Sequence, residues 1–360
     1  SNLIYVGLTP PWSMATLTEP LAGQIFSRRL GHIDSLRGLA VLLMVMVHAA
    51  ATWNPFSSSH VSALAYVVSG LGGLAAPLFV TLLGWGLMQT NSTPRKRLVR
   101  AIFLLLAQGV VNLLAPHLFD PFTPGVLSLF ALLIISEPLW CYPFRQTKLS
   151  PQIIFSIWLM FTIIGLYLGS ELQGSDKWSE RTTVSSLQTW LLHMLLTGTY
   201  PFLPWLIFAV FGACIAQITS NENYSNVGKS TIYSISLGLI FCIATLVWSI
   251  QTDTAWALPT GKAVLTFFPP NFEFVIAALT GVMILWVIIY KLPQLVLLEN
   301  AGRCSLSLYV VHFIPFATFH KAEDTYGWSL TISSIVVISY TLAWLPIAKL
   351  WRSKAPNYTL

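Results

Sequence analysis

The sequence predicts an all-α, polytopic integral membrane protein, and three observations lead to that prediction. Hydrophobic residues form 55% of the 360 residues and charged residues only 9%, against roughly 25% charged residues in an ordinary soluble domain. The apolar residues are gathered into runs long enough to cross a bilayer, which takes roughly 20 residues per helix. Aromatic residues, which are counted among the hydrophobic ones, form 13% of the chain. Together these features exclude a pair of soluble domains.

About ten membrane-spanning helices are predicted, with no soluble domain between them. The predicted windows are 34–52, 72–90, 98–117, 123–142, 151–170, 201–219, 231–250, 272–290, 304–320 and 329–349. The stretch 185–200 is apolar but ends in Gly-Thr-Tyr-Pro, so we predict a partial or re-entrant segment there. The resulting division is an N-terminal cytoplasmic segment (1–32), one transmembrane domain (33–350) and a cytoplasmic tail (351–360).

The lysine and arginine residues give the predicted orientation. With ten spans, all but four of the 19 basic residues fall on one side of the membrane, and the four exceptions are Lys177, Arg181, Lys262 and Lys321. Because cytoplasmic loops carry an excess of Lys and Arg, both termini are expected in the cytoplasm. The net charge of +6 then reflects basic residues placed in cytoplasmic loops. We expect a lipid bilayer, and no nucleic acid, as the partner of this charge.

The cysteine and histidine spacings do not indicate a metal site or a disulfide framework. No pair of histidines stands at i, i+4 with a carboxylate companion. Four cysteines lie far apart in or beside apolar runs, where buried free thiols are expected: Cys141, Cys214, Cys242 and Cys304.

Arg37 and His48, in the first predicted span, form the main candidate site, because an ionisable side chain within hydrocarbon costs a few kcal/mol or more. They are eleven residues apart, which on a helix is three turns plus about 20°, so both leave one face about 16 Å apart. Arginine can hold an anionic or carbonyl-bearing ligand, and histidine can accept a proton or an acyl group. The alternative is that Arg37 snorkels to lipid phosphates and His48 bonds to a neighbouring helix.

Five further histidines map toward the predicted outer side: His60, His117, His193, His312 and His320. An active site on that side would use such a base, although interfacial loops also tolerate histidine. His60 follows Trp53-Asn54-Pro55 and three serines, so we place it in a loop over the first helix. It is the second catalytic candidate.

Other polar residues have two interpretations each. A basic cluster has the charge to attract phosphate groups, or serves as a topology signal at a membrane face: Arg95, Lys96, Arg97 and Arg100. Glu137 is expected to pair with Arg145 in a structural role. Three polar residues within spans either line a cavity or bond between helices: Gln108, Asn112 and Glu273.

The stretch from Arg29 to His48, with Asp34-Ser35-Leu36-Arg37-Gly38-Leu39-Ala40 and Val47-His48, resembles the opening helix of the transmembrane acyltransferases. Its nearest branch is that of heparan-α-glucosaminide N-acetyltransferase and the bacterial YeiB-like proteins. Three later stretches fit the same resemblance: 76–84, 200–212, and 299–312 with its Gly-Arg-x-Ser-Leu-x-x-Tyr-x-x-His pattern. Arg37 and His48 match the Arg-x10-His pattern of the related acyltransferase family 3.

The resemblance implies an enzyme that takes an acyl group, usually acetyl, from cytoplasmic acetyl-CoA. The acceptor would be a sugar or glycolipid on the far side of a bacterial inner membrane. His48 occupies the catalytic position as general base or acyl carrier, while Arg37 orients the CoA arm or polarises its carbonyl. The animal glucosaminide enzymes instead carry Asn at this position and a functional histidine in the following loop, which keeps His60 open as the alternative.

The remaining site residues are assigned on the same resemblance. Asp34, Tyr309 and His312 are expected to bind substrate together with Arg37. The basic cluster is expected to bind the CoA phosphates through Arg95, Arg97 and Arg100. Relatives are often dimeric, which leaves a homodimer open.

Two other classes of function remain. A small-solute transporter or flippase would use the same helical cavity without covalent chemistry, and inverted repeats would favour it; none is visible in the sequence. A structural subunit descended from the family is the third class, against which the retained Arg37, His48, Tyr309 and His312 argue.

Overall fold

The structure is a computed structural model that describes residues 30–53, 68, 70–221 and 228–355. These residues are helical almost throughout, with one parallel pair of short strands, β1 (Ala257–Thr260) and β2 (Leu265–Phe268). A 3₁₀ turn (Ser170–Gln173) and a π-helical turn (His193–Thr197) accompany the α-helices. In chain order these are α1 (Gly31–Trp53), α2 (Ala75–Met88), α3 (Pro94–Leu114), α4 (Val126–Gln146), α5 (Pro151–Leu168), α6 (Trp178–Thr182), α7 (Leu187–Leu192), α8 (Phe202–Asn221), α9 (Lys229–Gln251), α10 (Phe272–Lys291), α11 (Val296–Arg303), α12 (Ser305–Val311), α13 (Phe313–Phe319), α14 (Ala322–Tyr326) and α15 (Leu330–Lys354).

The all-α membrane architecture is confirmed, with one change in the count of spans. Nine helical segments within the described ranges are long and apolar enough to cross a membrane. The predicted span 304–320 is instead a shorter apolar helix, Ser305–Phe319, that breaks at His312 into α12 and α13. At 1.5 Å per residue it is about 22 Å long, short of the roughly 30 Å hydrocarbon core. The predicted partial segment 185–200 contains only α7 and the π-helical turn.

Two pairs of glycines bring four helices into backbone contact. A Cβ atom on Gly302 of α11 would lie 1.8 Å from the Asp34 carbonyl oxygen of α1, and one on Gly38 would lie 2.0 Å from the Leu298 oxygen. Gly84 and Gly212 make the same arrangement between α2 and α8, with backbone oxygens 2.0 and 1.9 Å away. Small residues allow such close approach in membrane proteins. These two crossings fix the centre of the helical bundle.

Basic side chains converge at one end of the bundle, which we call the basic end. At this end α1 and α3 begin, and α2 and α4 end. The buried Glu137 carboxylate lies 2.9 Å from Arg97 and 2.5 Å from Arg145, which confirms the predicted pairing of Glu137 with Arg145. Arg145 also donates to the Leu87 and Thr90 carbonyls at the end of α2. The convergence agrees with the predicted segregation of charge.

At the end of the bundle opposite the basic end, which we call the far end, amide side chains of α3 form hydrogen bonds to the loop that follows this helix and to the start of α4. The Gln108 amide donates to the Asn112 oxygen, and Asn112 donates to the carbonyls of Pro121 and Thr123. The Leu127 amide donates to the Gln108 oxygen at the start of α4. Of the two predicted roles for Gln108 and Asn112, hydrogen bonding is the one observed.

Arg181 organises the far-end segment 170–200 through bonds to main-chain carbonyls. Its guanidinium is buried and donates to the main-chain carbonyls of Gln173, Ser175, Thr197 and Gly198. Burial lowers the pKa of Arg181 to about 10, so the side chain remains charged at neutral pH. The Arg181 side chain thereby joins the two ends of segment 170–200.

The four cysteines are free thiols, three of them buried and Cys242 partly buried, as predicted.

We expect Gly302→Val to prevent folding or to lower the thermal unfolding temperature in detergent sharply. Inserted side-chain volume usually costs about 1–3 kcal/mol, and here it meets backbone, which cannot rotate away. Gly109→Ala is the matched control, since a Cβ on Gly109 of α3 meets nothing within 4 Å. An undisturbed Gly302→Val protein would show that the α1–α11 crossing is not tight.

Arg181→Ala is expected to destabilise the protein and to expose segment 170–200 to limited proteolysis. The change leaves four carbonyls without their donor, at about 1–3 kcal/mol for each that stays buried. Lys177→Ala serves as the control because the Lys177–Glu180 ion pair is exposed and such pairs contribute about 0–1 kcal/mol. Equal melting and cleavage in both variants would contradict the role of Arg181.

Candidate active site

Two histidines from distant parts of the chain meet in the interior of the bundle. His48 Nδ1 of α1 lies 3.0 Å from Nε2 of His312, at the junction of α12 and α13. The rings are nearly parallel, with 6° between their planes and centroids 5.2 Å apart. This spacing fits two rings that share an in-plane hydrogen bond better than two rings stacked face to face. The helix break at His312 brings this side chain to α1.

The hydrogen bonds of the pair determine which nitrogens carry protons. His312 Nδ1 lies 3.0 Å from the Leu308 carbonyl oxygen, which can only accept, so this nitrogen is the donor. In neutral His312, Nε2 is then the acceptor, and His48 must donate from Nδ1. His48 Nε2 consequently carries a free lone pair. The arrangement presents His48 as a base whose orientation is set by His312.

Aromatic rings surround the histidine pair and keep water from most of it. Phe313 packs against both rings, with centroids 4.8 Å from His48 and 4.0 Å from His312. The Tyr340 hydroxyl donates to the His312 carbonyl oxygen. His312 is completely buried, whereas His48 is half-buried. His48 is thus the member of the pair that keeps part of its surface accessible.

A cavity of about 300 Å³ extends into the bundle from the basic end. Arg37, Thr90 and Arg100 line it near that end, and Phe79 and Phe130 line it deeper. Tyr309 of α12 also lines the cavity, and its ring lies edge-on to both His48 and His312, at 6.4 and 6.0 Å between centroids. Tyr309 therefore separates the cavity from the histidine pair.

Arg37 is held at the cavity by a chain of ion pairs. Its Nη1 lies 3.3 Å from Oδ1 of the buried Asp34, whose Oδ2 lies 3.0 Å from Arg303 Nε. Glu299 lies 3.7 Å from the other side of Arg303. Asp34 thus joins α1 to α11 and orients Arg37. Arg37 and His48 both turn toward α12, as their spacing on one helix face predicted.

The predicted site residues divide into three groups. His48, His312, Tyr309, Arg37 and Arg100 lie at the cavity or at the histidine pair beside it. Asp34 is buried between two arginines, Arg97 is engaged by Glu137, and Arg95 is exposed at the start of α3. His60 lies outside the described residues.

The histidines near the far end form a second group beyond the first pair. His117 lies 3.2 Å from the Thr52 hydroxyl, and its ring is 4.9 Å from that of His320. Partial burial and the neighbouring His320 lower the pKa of His117 to about 4, so the ring is neutral at physiological pH. His193 instead contacts Thr197 and the Thr183 carbonyl. Within the described ranges no three His, Cys, Asp or Glu side chains cluster as metal ligands would.

Sequence reasoning missed two contributions. His312 was expected to bind substrate, yet it contacts His48 directly across 264 positions of chain, a separation that no local pattern reveals. Arg303, quoted only as part of the late motif, shares the Asp34 carboxylate with Arg37. The Tyr-x-x-His spacing was the available signal, since residues three apart share a helix face.

We expect His48 to populate the Nδ1–H tautomer, with Nε2 unprotonated, because His312 accepts from Nδ1. Nitrogen NMR of protein labelled with ¹⁵N-histidine distinguishes the two ring nitrogens. His312→Phe should remove the preference, whereas His193→Asn, which alters a histidine elsewhere, should leave the His48 signals unchanged. A protonated Nε2 on His48 in the unaltered protein would contradict the assignment.

Comparison with known proteins supports one family. No curated protein matches the chain at a significant level. A family model described as an acyltransferase domain, that of acyltransferase family 3, matches residues 30–348. The match begins at the first helix with Arg37 and His48, continues through the His312 junction and reaches the last helix. The chain therefore belongs to acyltransferase family 3.

Proposed function

We propose that this membrane acyltransferase takes an acetyl group from acyl-CoA bound at the basic end and delivers it to an acceptor at His48. One observation carries the proposal: a cavity with two arginines near its mouth ends at Tyr309, which also touches the His48–His312 pair. A charged donor can stay at one membrane face while its reactive group reaches a base in the interior.

Arg37 and Arg100 are the proposed contacts for the phosphates of the donor. Arginine suits this task because its planar guanidinium binds phosphate oxygens in a fixed fork. Arg95 and Arg97 add positive charge at the same end, although Arg97 is also engaged by Glu137. The apolar lining beyond them suits the pantetheine arm. The distance along α1 from Arg37 to His48, about 16 Å, is the length over which that arm would extend.

His48 is the proposed general base. Its Nε2 lone pair would accept the proton of an acceptor hydroxyl or amine as that oxygen or nitrogen bonds to the thioester carbonyl carbon. The carbon–sulfur bond then breaks, and His48 returns the proton to the sulfur, so that the products are the acylated acceptor and CoA thiol. Such a base supplies about 10²–10⁴ in rate. A transient acyl group on His48 is the alternative route.

The remaining parts of the proposal rest on the resemblance to the heparan-α-glucosaminide N-acetyltransferase and YeiB-like branch. The acceptor would be a sugar or glycolipid on the extracytoplasmic side of a bacterial inner membrane, with both termini cytoplasmic. Asp34 would serve substrate binding indirectly, by orienting Arg37. His60 remains the alternative base, and a homodimer the alternative to a monomer.

We expect purified protein in nanodiscs to bind acetyl-CoA saturably and to hydrolyse it slowly, with water as the acceptor. Arg37→Ala and Arg100→Ala should weaken binding, by about tenfold or more if each loses one charge-assisted phosphate contact. His48→Ala should retain binding but lower hydrolysis by about 10²-fold or more. Calorimetry and a thiol-release assay report the two quantities separately.

Lys148→Ala is the charge-matched control, since Lys148 is exposed shortly after α4 and away from the cavity. Unchanged hydrolysis in His48→Ala would transfer the base assignment to His60, which His60→Ala then tests. A folded wild-type protein that binds neither CoA nor acetyl-CoA would reject the donor site and favour transport of another solute.

A further inference from the structure

A second cavity lies between α9 and α10, and we call it the α9–α10 groove. Its volume is about 480 Å³, within the roughly 300–1,000 Å³ of small-molecule sites. One wall is a single face of α9, at the i, i+3, i+4, i+7 spacing of a helix: Phe241, Ala244, Thr245 and Trp248. The opposite wall includes the start of α10, with Phe272 and Glu273.

The groove lies toward the far end of the bundle. The loop that joins α9 to α10 packs there, since Phe268 lies 5.0 Å between centroids from Trp178 of α6. Toward the basic end the two helices come together, because a Cβ atom on Gly238 of α9 would lie 2.0 Å from Thr280 Oγ1 of α10. Phe241 follows Gly238 by about one turn. The close contact of the two helices therefore marks the inner limit of the groove.

Glu273 gives the groove a negative charge. Among the described residues that line the groove, it is the one charged side chain, and no ion pair within the described ranges involves it. It stands in the first turn of α10, where the helix dipole favours a negative charge. Of the two roles predicted for Glu273, lining a cavity is thus the one observed.

The other polar side chains of the groove are already used by the protein itself. The Thr245 hydroxyl donates to the Cys242 carbonyl and accepts from the Trp256 indole. The Asn271 amide donates to the Val264 carbonyl, and its oxygen accepts from main-chain amides that include that of Phe274. A sugar, which needs several hydrogen-bond partners, would find few here. A carboxylate among aromatic rings instead suits an organic cation, since ring faces attract ammonium groups.

The surroundings of the groove indicate that this cation belongs to a lipid. The outward side of α9 carries exposed apolar side chains, among them Ile240, Ile243 and Ile250, which in a membrane would contact lipid. Trp248 of the groove is itself 60% exposed, and tryptophan is enriched where headgroups lie. Lys262 is exposed in the loop between α9 and α10, so a phosphate bound near the ammonium has a cation within the same loop.

We propose that the α9–α10 groove binds a phospholipid with an ammonium headgroup, ethanolamine or choline. The ammonium contacts the Glu273 carboxylate and the rings of Phe241, Trp248 and Phe272, while the acyl chains lie along α9. The groove shares no lining residue with the cavity of Arg37 and Arg100. The site is therefore independent of the proposed acyl transfer.

The test uses calorimetry of free choline with protein in nanodiscs of phosphatidylglycerol, a lipid without an ammonium group, after subtraction of empty nanodiscs. Choline should bind saturably, and its uncharged isostere dimethylbutanol about tenfold or more weakly, because it lacks the charge-assisted contact. Glu273→Gln should weaken choline binding by about the same factor, and Trp248→Leu by a smaller factor. When phosphatidylcholine replaces half of the lipid, choline binding should disappear because the lipid headgroup occupies the groove.

Glu171→Gln is the matched control, since it removes an exposed carboxylate at the far end that does not line the groove. It should bind choline as wild type does, and gel filtration of each variant verifies that it is folded. No saturable choline binding by folded wild type in phosphatidylglycerol, or an unchanged affinity in Glu273→Gln, would overturn the proposal. Choline binding that persists undiminished beside phosphatidylcholine would reject the lipid and assign the groove to a free amine. None of these outcomes affects the proposed hydrolysis of acetyl-CoA.

Discussion

The closest backbone contact of α1 supports every part of the site. Where Gly38 meets Leu298 and Gly302 meets Asp34, no side chain separates α1 from α11. Asp34 and Arg303 can therefore form an ion pair across the crossing, and Arg37 is held beside it. Two residues beyond Arg303, α12 begins at Ser305 and leads to His312, which meets His48 of α1. If α1 and α11 crossed at a greater distance, Arg303 would be separated from Asp34, and His48 would be separated from His312.

The site also depends on how polar groups are satisfied within an apolar bundle. A buried donor or acceptor without a partner costs about 1–3 kcal/mol, and the chain meets this requirement with main-chain atoms at several points. Leu308 supplies the carbonyl that orients His312, and the His312 carbonyl in turn accepts from Tyr340. These bonds explain how a histidine can sit among phenylalanine rings with main-chain carbonyls to orient it.

Much of the fold could be predicted from the sequence because hydrophobic length and basic loops are local signals. The windows of nine spans coincide with helices, and the pairing of Glu137 with Arg145 was also foreseen. The exception, 304–320, is apolar enough to look like a span, but its breaks at Cys304 and His312 leave no local pattern in the sequence. The candidate site was only partly predictable for the same reason. The shared face of Arg37 and His48 follows from helix geometry, whereas the meeting of His48 with His312 and of Asp34 with Arg303 depends on how distant helices cross.

The position of Tyr309 has an electrical consequence. The proposed reaction brings substrates from opposite membrane faces to one site, and an open path between the faces would dissipate ion gradients. Here Tyr309 lines the cavity, and its ring lies against those of His48 and Phe313, a medium in which an unpaired ion has a high energy. In the proposed reaction, these rings would let a neutral acyl group pass while they hold back ions. Rings that limit access to His48 would thus also keep the membrane closed to ions.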